Sequence, residues 1–382
     1  MTIGIACIGC GYVAGLYAAT FQDAADIVQV RGIYDADPSR RDSFAKHYGL
    51  QPYDSYEAVL ADPEVQIVVN LTNPHAHHAL SKQALLAGKH VYSEKPLALA
   101  LDQARELVTL AKARGLHMVC APSSALGEAA QTLMRAVRDE VMGTPRLVYA
   151  EIDDGMIHRI GMERWRSATG VPWPAKDELA TGCTLEHAGY ALSWLVIMFG
   201  SARRVVSFSK LCVPDRGPQT PESYVTPDFS CACIEFETGV VARLTNSIIA
   251  PHDHRLRIFC DDGALEMEEI WDFGCNVYTT PLYDTIFKRQ MHKRLGWAGR
   301  KRLAPVRKSA IKSAKRGFNL DFMVGVRDLA EAIRDARAPR LGGAFSLHVT
   351  EVSLAIQYPE IYGTDYTVTS SAQSVAPMGW AT

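Results

Sequence analysis

Three short stretches hold the residues best suited to chemistry. Glu94-Lys95-Pro96 offers an ammonium group in a stiffened turn, because Pro96 fixes its own φ and has no N–H. A lysine so placed can hold a substrate hydroxyl and help move its proton, with neighbouring positive charge lowering its pKa. Taken alone, that tripeptide would suit a surface turn better. The run from Gly182 to Tyr190 adds Glu186 and Tyr190, four residues apart and so on one helix face, with Thr184 able to cap the helix. A phenol held near a carboxylate can donate or accept a proton at a substrate oxygen. On spacing alone an equal alternative leaves Glu186 and His187 in a solvated first turn and Tyr190 as a core aromatic. The third stretch, Gly9-Cys10-Gly11-Tyr12-Val13-Ala14, has no acid–base group but has the spacing that aims free backbone N–H groups at a phosphate.

The elements needed to position these groups follow from the pattern around them. Residues 3–8 are an apolar, β-branched run of the kind buried in a parallel sheet, and Leu16 to Ala19 suit a helix. Between them Gly9 allows a tight turn, Gly11 lets the backbone approach a pyrophosphate, and Ala14 lets helix and strand pack closely. A second run, 27–34, ends in Asp35, 24 residues after Gly11, where a dinucleotide fold places the carboxylate that holds the ribose hydroxyls. Strand, turn, helix and acid in this order predict a nicotinamide dinucleotide site. Asp35 favours NAD, since a carboxylate repels a 2′-phosphate, and Arg40 and Arg41 leave NADP open.

The alternation continues with helices at 38–48, 56–60, 75–87 and 101–113 and strands at 65–71, 90–93 and 117–121. It predicts a doubly wound parallel sheet, with Lys95 at a strand end facing the ligand crevice. Beyond Pro122 the texture changes. Helices are expected at 126–141, 184–199, 320–336 and 345–357, and strands at 146–153, 204–211, 229–237, 240–247, 256–260 and 264–267. The fold class is therefore α/β. A Rossmann domain over 1–122 precedes an α+β domain over 123–382 with an open, mainly antiparallel sheet.

A formal net charge of −2 gives no sign of nucleic acid as a partner. Nine cysteines, an odd number, argue for a reducing compartment, and Cys7, Cys10, Cys231 and Cys233 suit packing. There is no basic leader and no apolar run of membrane length, so a cytoplasmic protein without an integral membrane segment is expected. The near-neutrality hides an asymmetry. Residues 288–316 hold 12 of the 40 Lys and Arg and no Asp or Glu, which leaves 28 basic against 42 acidic residues elsewhere. Val306, Ile311, Ala314 and Phe318 could form the apolar side of a basic helix there. A solvated insertion is the simpler explanation. The functional ones are a clamp for a phosphorylated or nucleotide-linked substrate, or contact with an anionic membrane surface.

The glycine turn, Thr72-Asn73-Pro74 with His77, Ala87-Gly88-Lys89-His90-Val91, Glu94-Lys95-Pro96 and the Gly182–Tyr190 run together resemble the glucose–fructose oxidoreductase and inositol dehydrogenase (Gfo/Idh/MocA) family. The resemblance spans nearly the whole chain. It implies a C-terminal domain whose open sheet forms homo-oligomer contacts, as a dimer or tetramer. It also implies hydride transfer between a nicotinamide and a sugar, nucleotide-sugar or cyclitol carbon. By this resemblance Lys95, Tyr190 and Glu186 are catalytic. Gly9, Gly11, Tyr12, Val13, Ala14, Asp35, Thr72, Asn73, Pro74, His77, Glu94 and Lys95 bind the cofactor. Trp165 and Arg166 match a Trp-Arg pair that places Arg166 at the substrate, with a structural role an equal alternative. His187 is a further substrate-side residue that could substitute for the altered Glu186–Tyr190 pair, although it points in a different direction around the helix. Two departures stand out: Glu186 replaces the usual Asp, and Tyr190 the usual His.

His75, His77 and His78 suit packing and capping, and no metal site is expected. His252 and His254, between two strands, could reach the cleft, although a solvated loop is the simpler expectation. Two other classes stay open. One is a glycoside hydrolase or lyase that keeps NAD bound and oxidises its sugar transiently. The other is a non-catalytic dinucleotide-binding sensor, for which the altered Glu186–Tyr190 pair is the argument and Lys95 the objection.

Overall fold

The computed structural model describes residues 2–218, 220, 224–295, 299–308, 319–372 and 374–382. Its first sheet is built on β1 (Ile3–Ile8), buried at all six positions as its unbroken apolar run requires. With β2 (Val28–Tyr34), β3 (Ile67–Asn70), β4 (His90–Ser93) and β5 (Met118–Cys120) it forms a parallel sheet in the order β2-β1-β3-β4-β5. Helices α1 (Tyr12–Thr20), α2 (Pro38–Tyr48), α3 (Tyr56–Ala61), α4 (Pro74–Leu86) and α5 (Leu101–Ala113) cover its faces. The start of α2 shows how local chemistry sets these bounds. Asp37 accepts hydrogen bonds from the N–H groups of Ser39 and Arg40, Pro38 opens the helix, and Gly49 at φ +67° ends it.

The strand order reverses between β1 and β3, and an open parallel sheet has its ligand crevice at such a point. Gly9 sits there at φ +90°. A Cβ on it would lie 2.7 Å from the Leu71 carbonyl oxygen at the end of β3.

The second half carries α6 (Glu128–Arg138), β6 (Pro145–Asp153), α7 (Ala175–Thr181), α8 (Gly189–Phe199), β7 (Ala202–Lys210), β8 (Phe229–Phe236) and β9 (Val241–Ser247). After them come β10 (Leu256–Cys260), β11 (Gly263–Met267), β12 (Tyr278–Pro281), α9 (Ile286–Leu295), β13 (Lys301–Arg302), α10 (Val324–Arg334), α11 (Gly343–Gln357), α12 (Pro359–Tyr362) and β14 (Asp365–Thr367). The strands make one sheet, β13-β12-β11-β10-β6-β9-β8-β7-β14, antiparallel except where β6 meets β9. Period-2 burial along β8 and β9 gives it one packed face and one open face. Trp194 and its neighbours on α8 fill the packed side. Helix α11 is buried along most of its length because it is shared, packing on α5 as well as on β7 and α8.

Three short strands, β12, β13 and β14, were not expected from the sequence, and helix α6 ends at Arg138 instead of running on to Val141. The expected basic helix through Ile311, Ala314 and Phe318 lies outside the described residues. Val306 is half-buried, and its N–H donates to Thr132 Oγ1 at 3.1 Å. Upstream of it, α9 has no buried residue. All nine cysteines are unpaired, with Cys7 and Cys10 buried as packing residues. Among the described residues no helix is long and apolar enough to cross a membrane.

The turn at Gly9 generates a direct prediction. Gly9→Ala combines a left-handed φ with a clash against backbone, so it should destabilise the protein by about 1–3 kcal/mol. Chemical denaturation measures this, and an unchanged midpoint would contradict the close approach of β1 and β3.

Candidate active site

The glycine turn leaves room for a ligand. Helix α1 starts after Gly11 without any side-chain cap, so the N–H groups of its first turn, from Tyr12 through Ala14, are not taken by a capping side chain. A Cβ on Gly11 would meet nothing within 4 Å, whereas Ala14 is buried against the sheet. Tyr12 and Val13 are half-buried on the same turn. Asp35 lies just beyond β2 and accepts from the Cys10 N–H at 2.7 Å and the Asp37 N–H at 2.8 Å. Arg40 stands 3.7 Å from its carboxylate. An open concave turn of N–H donors beside a carboxylate fits the pyrophosphate and ribose of a dinucleotide.

The opposite wall comes from the ends of β3 and β4. The His77 ring spans the two, with Nδ1 at 2.7 Å from the Pro96 carbonyl oxygen and Nε2 at 2.9 Å from that of Thr72. Thr72 Oγ1 donates to Asn70 Oδ1 at 2.6 Å. Pro74 opens α4, and Asn73 reaches across to Asp177 on α7 at 3.5 Å. The expected packing role of His77 is therefore met. His78 pairs with Glu106 at 2.6 Å.

Lys95 is fixed through its neighbour. Glu94, buried, accepts from the Tyr17 hydroxyl at 2.6 Å and from the Lys95 N–H at 3.0 Å. The Lys95 ammonium then donates directly to Glu186 Oε2, with Glu178 Oε2 4.0 Å away. This corrects the electrostatics expected for Lys95. Burial alone would lower its pKa, but Glu186 and Glu178 outweigh that and hold it well above the ordinary lysine value. Neighbouring negative charge, not positive, sets its state. The Glu178 carboxyl is pushed up to about 8, by burial first and then by Glu186 beside it. Glu186 Oε1 is buried without a hydrogen-bond partner. The Tyr190 phenol is raised above its ordinary range, chiefly by burial.

Glu186 reaches Lys95 because residues Thr184–Ala188 form a π-helical turn ahead of α8. Such turns are rare and recur at functional sites. Thr184 does not cap the helix as expected, for its hydroxyl pairs with Ser230 Oγ at 2.8 Å. The cap comes from far away: Gln357 on α11 accepts from the Leu185 N–H at 2.9 Å and donates to the Thr181 carbonyl at 2.8 Å. Its amide fills the space where a Cβ on Gly182, at φ +95°, would lie.

Beyond Glu186 the structure assembles groups that spacing did not connect. His187 Nδ1 lies 3.1 Å from Asp154 Oδ2. His254 is fully buried between Asp154 Oδ1 at 3.0 Å and Glu269 Oε1 at 2.9 Å, so its expected place in a solvated loop is overturned. Its buried position is stabilised by a carboxylate on each ring nitrogen. His252 is exposed, with Nε2 3.0 Å from Glu269 Oε2. The Trp271 ring packs against Tyr190, His187 and His254, with centroids 4.8, 6.2 and 4.4 Å away. The two other expected substrate residues are elsewhere occupied. Trp165 packs edge-on against Trp173, and exposed Arg166 donates to the carbonyls of Glu163 and Trp165.

Comparison with known proteins agrees with this architecture. Residues 3–121 match the model for the NAD-binding Rossmann fold of the Gfo/Idh/MocA oxidoreductases, and residues 130–266 that for the C-terminal domain of the same family. The chain is 25% identical over 269 residues to an uncharacterised oxidoreductase of Synechocystis, covering 68% of this chain and 70% of that protein. It is 27% identical over 267 residues to the trans-1,2-dihydrobenzene-1,2-diol dehydrogenase of Sus scrofa, with 68% and 72% covered. The matching region spans only 49% of the same enzyme from Macaca fascicularis. Among solved structures, the aldose–aldose oxidoreductase of Caulobacter crescentus has the same fold, with a TM-score of 0.75, 19% identity, and 96% of this chain and 100% of that one covered. With two family models together matching well over half of its length, the chain belongs to the Gfo/Idh/MocA family of NAD-binding oxidoreductases.

Proposed function

We propose that the protein is a dehydrogenase or reductase that moves a hydride between a nicotinamide dinucleotide and a CH–OH or keto carbon of a sugar, nucleotide sugar or cyclitol. The observation that carries this is Lys95. It stands at the C-terminal end of β4, charged, hydrogen-bonded to Glu186, and close to the turn that fits the dinucleotide. When bound, the nicotinamide supplies the hydride acceptor or donor.

The chain's own residues would do the rest. Gly9, Gly11 and the first turn of α1, with Tyr12, Val13 and Ala14, cradle the pyrophosphate, and Asp35 takes the ribose. Thr72, Asn73, Pro74, His77 and Glu94 shape the nicotinamide end. Lys95 donates a hydrogen bond to the reacting oxygen and stabilises negative charge developing there. Glu186 orients Lys95. Tyr190, kept protonated, is a second donor to the substrate oxygen.

The polyol character of the substrate rests on buried polar atoms that lack partners. Glu186 Oε1, in the cleft beside Lys95, is one such atom. Such atoms favour ligands rich in hydroxyl groups. The substrates named in two relatives, a trans-diol and an aldose, share neighbouring hydroxyls. Exposed Val206 and Phe208 on the open sheet support assembly as a homo-oligomer through that face.

The reading is tested by titrating NADH and NADPH by fluorescence, then screening aldoses, UDP-sugars, myo-inositol and trans-1,2-dihydrobenzene-1,2-diol by absorbance of the reduced cofactor. Saturable binding and net turnover are expected. Turnover of a glycoside without net reduced cofactor would replace the dehydrogenase with an internal redox cycle, and binding without any turnover would favour a sensor. Lys95→Met should lower kcat by about 10²–10³-fold while NADH still binds. Gly11→Ala should leave the melting temperature unchanged, because its Cβ enters open space, and weaken NADH binding.

Glu178 predicts a pH effect on stability. The unfolded chain loses that proton near its ordinary value of 4.5, whereas the folded protein keeps it up to about 8. Between those values the unfolded state binds fewer protons, so stability falls as pH rises. Glu178→Gln removes that loss. Its stability relative to the wild type should climb from pH 5 to pH 8 in urea unfolding curves; a pH-independent difference would contradict the raised carboxyl.

A further inference from the structure

Lys95 and Tyr190 both enter the reaction as donors, since their surroundings keep the ammonium and the phenol protonated. Oxidation of an alcohol then needs another group to take the O–H proton. We propose that His187 is that acceptor, with Asp154 as its positioning residue and His254 and Glu269 as the clamp that holds Asp154. The inference deepens the dehydrogenase reading and rests on it.

Asp154 follows β6, and His187 lies on the π-helical turn directly after Glu186. Their facing atoms, Nδ1 and Oδ2, are 3.1 Å apart and buried, yet out of line for a hydrogen bond, so each lacks a partner. Acid–base pairs are often this loose before a substrate closes the site. A carboxylate can only accept, so Asp154 selects the His187 tautomer with a proton on Nδ1. Nε2 is then the basic nitrogen.

The second oxygen of Asp154 is fixed by His254 Nε2, whose Nδ1 is fixed in turn by Glu269. A fully buried imidazole with a carboxylate on each nitrogen is a cation that donates at both ends. His254 therefore serves as a fixed positive charge, with both nitrogens engaged, and holds Asp154 ionised. Burial would lower the His254 pKa, but the two hydrogen-bonded carboxylates raise it to about 9. For Asp154, burial is outweighed by His187, His254 and His252, and its pKa falls. The groups acting on His187 are Asp154 and Glu178, which favour its charged form, and Lys95 and His254, which oppose it. Burial is the largest influence and leaves the imidazole below its ordinary pKa, neutral and ready to accept. Glu178, the other nearby candidate, is pushed up and keeps its own proton.

The atoms balance. In the oxidising direction the substrate O–H breaks with its proton going to His187 Nε2. The C–H bond breaks with its electron pair, as hydride, going to the nicotinamide, and the C=O bond forms. Reduction reverses each change.

Two arms test this. In the first, the protein without substrate is labelled with ¹⁵N-histidine and its imidazole nitrogens are followed by NMR across pH. At pH 7.5 His187 should be neutral with its proton on Nδ1, and His254 should carry protons on both nitrogens. Asp154→Asn should remove the Nδ1 preference of His187. A His187 proton on Nε2, or spectra indifferent to Asp154→Asn, would overturn the pairing.

In the second arm, His187→Asn and His187→Gln are assayed with the panel substrate that the wild type turns over. Both should lose about 10²–10⁴-fold in kcat. They should keep the NADH affinity and melting temperature, and lose the acid-side fall of kcat/KM. Asp154→Asn should shift that fall to lower pH, whereas Glu178→Gln should leave it in place. Activity of a folded His187 variant within twofold of wild type would overturn the proposal. Absence of turnover with every panel member, beside the predicted NMR signature, would sink the dehydrogenase reading and keep the His187–Asp154 pair.

Discussion

The interaction on which the rest depends is the buried contact between the Lys95 ammonium and the Glu186 carboxylate. One partner stands at the end of a parallel strand, the other on a turn that precedes a helix of the second half. Neither could be buried alone, since an isolated charge in such a place costs several kcal/mol. Together they tie the crevice of the first sheet to the second. The neighbouring carboxyl of Glu178 answers the same constraint by keeping a proton, because a second full negative charge beside Glu186 would be left without a partner.

Holding that contact in place takes residues from distant parts of the chain. Tyr17, on the first helix, anchors Glu94 and through it the backbone of Lys95. Gln357, on the shared helix α11, anchors both sides of the Gly182 turn that delivers Glu186. Farther out, charges alternate through Asp154, His254 and Glu269, and one indole, Trp271, packs against three of the site's rings. A single cleft is thus positioned by a Rossmann helix, a strand end, a π-helical turn and the last long helix.

What could be read from the sequence was what is local or periodic. The turn from Gly9 to Ala14, the acid at Asp35 and the alternation up to Pro122 each depend on residues a few positions apart, and all appear in the structure. Lys95, Glu186 and Tyr190 could be singled out as candidates because short motifs surround them. The electrostatic state of Lys95 was not legible, because the carboxylate that controls it is 91 residues away. Asp154 and His254 are 100 residues apart, and nothing in their own segments marks them as partners. Nothing in the segment around Glu178 marks it as a neighbour of Glu186 and Lys95. Strands β13 and β14 have two and three residues, too few to show alternation. The π-helical turn has no composition of its own, and it appears only when Gln357 and Glu186 find their partners.

The most direct test of this organisation is a double-mutant cycle on Lys95→Met and Glu186→Gln, read from unfolding free energies at pH 7. A buried, mutually dependent pair should show a coupling of about 2–3 kcal/mol, with each single variant costing more than its share because it strands the other group. Additive effects, within about 0.5 kcal/mol, would mean that the two charges do not rely on each other, and the site would have to be organised around something else.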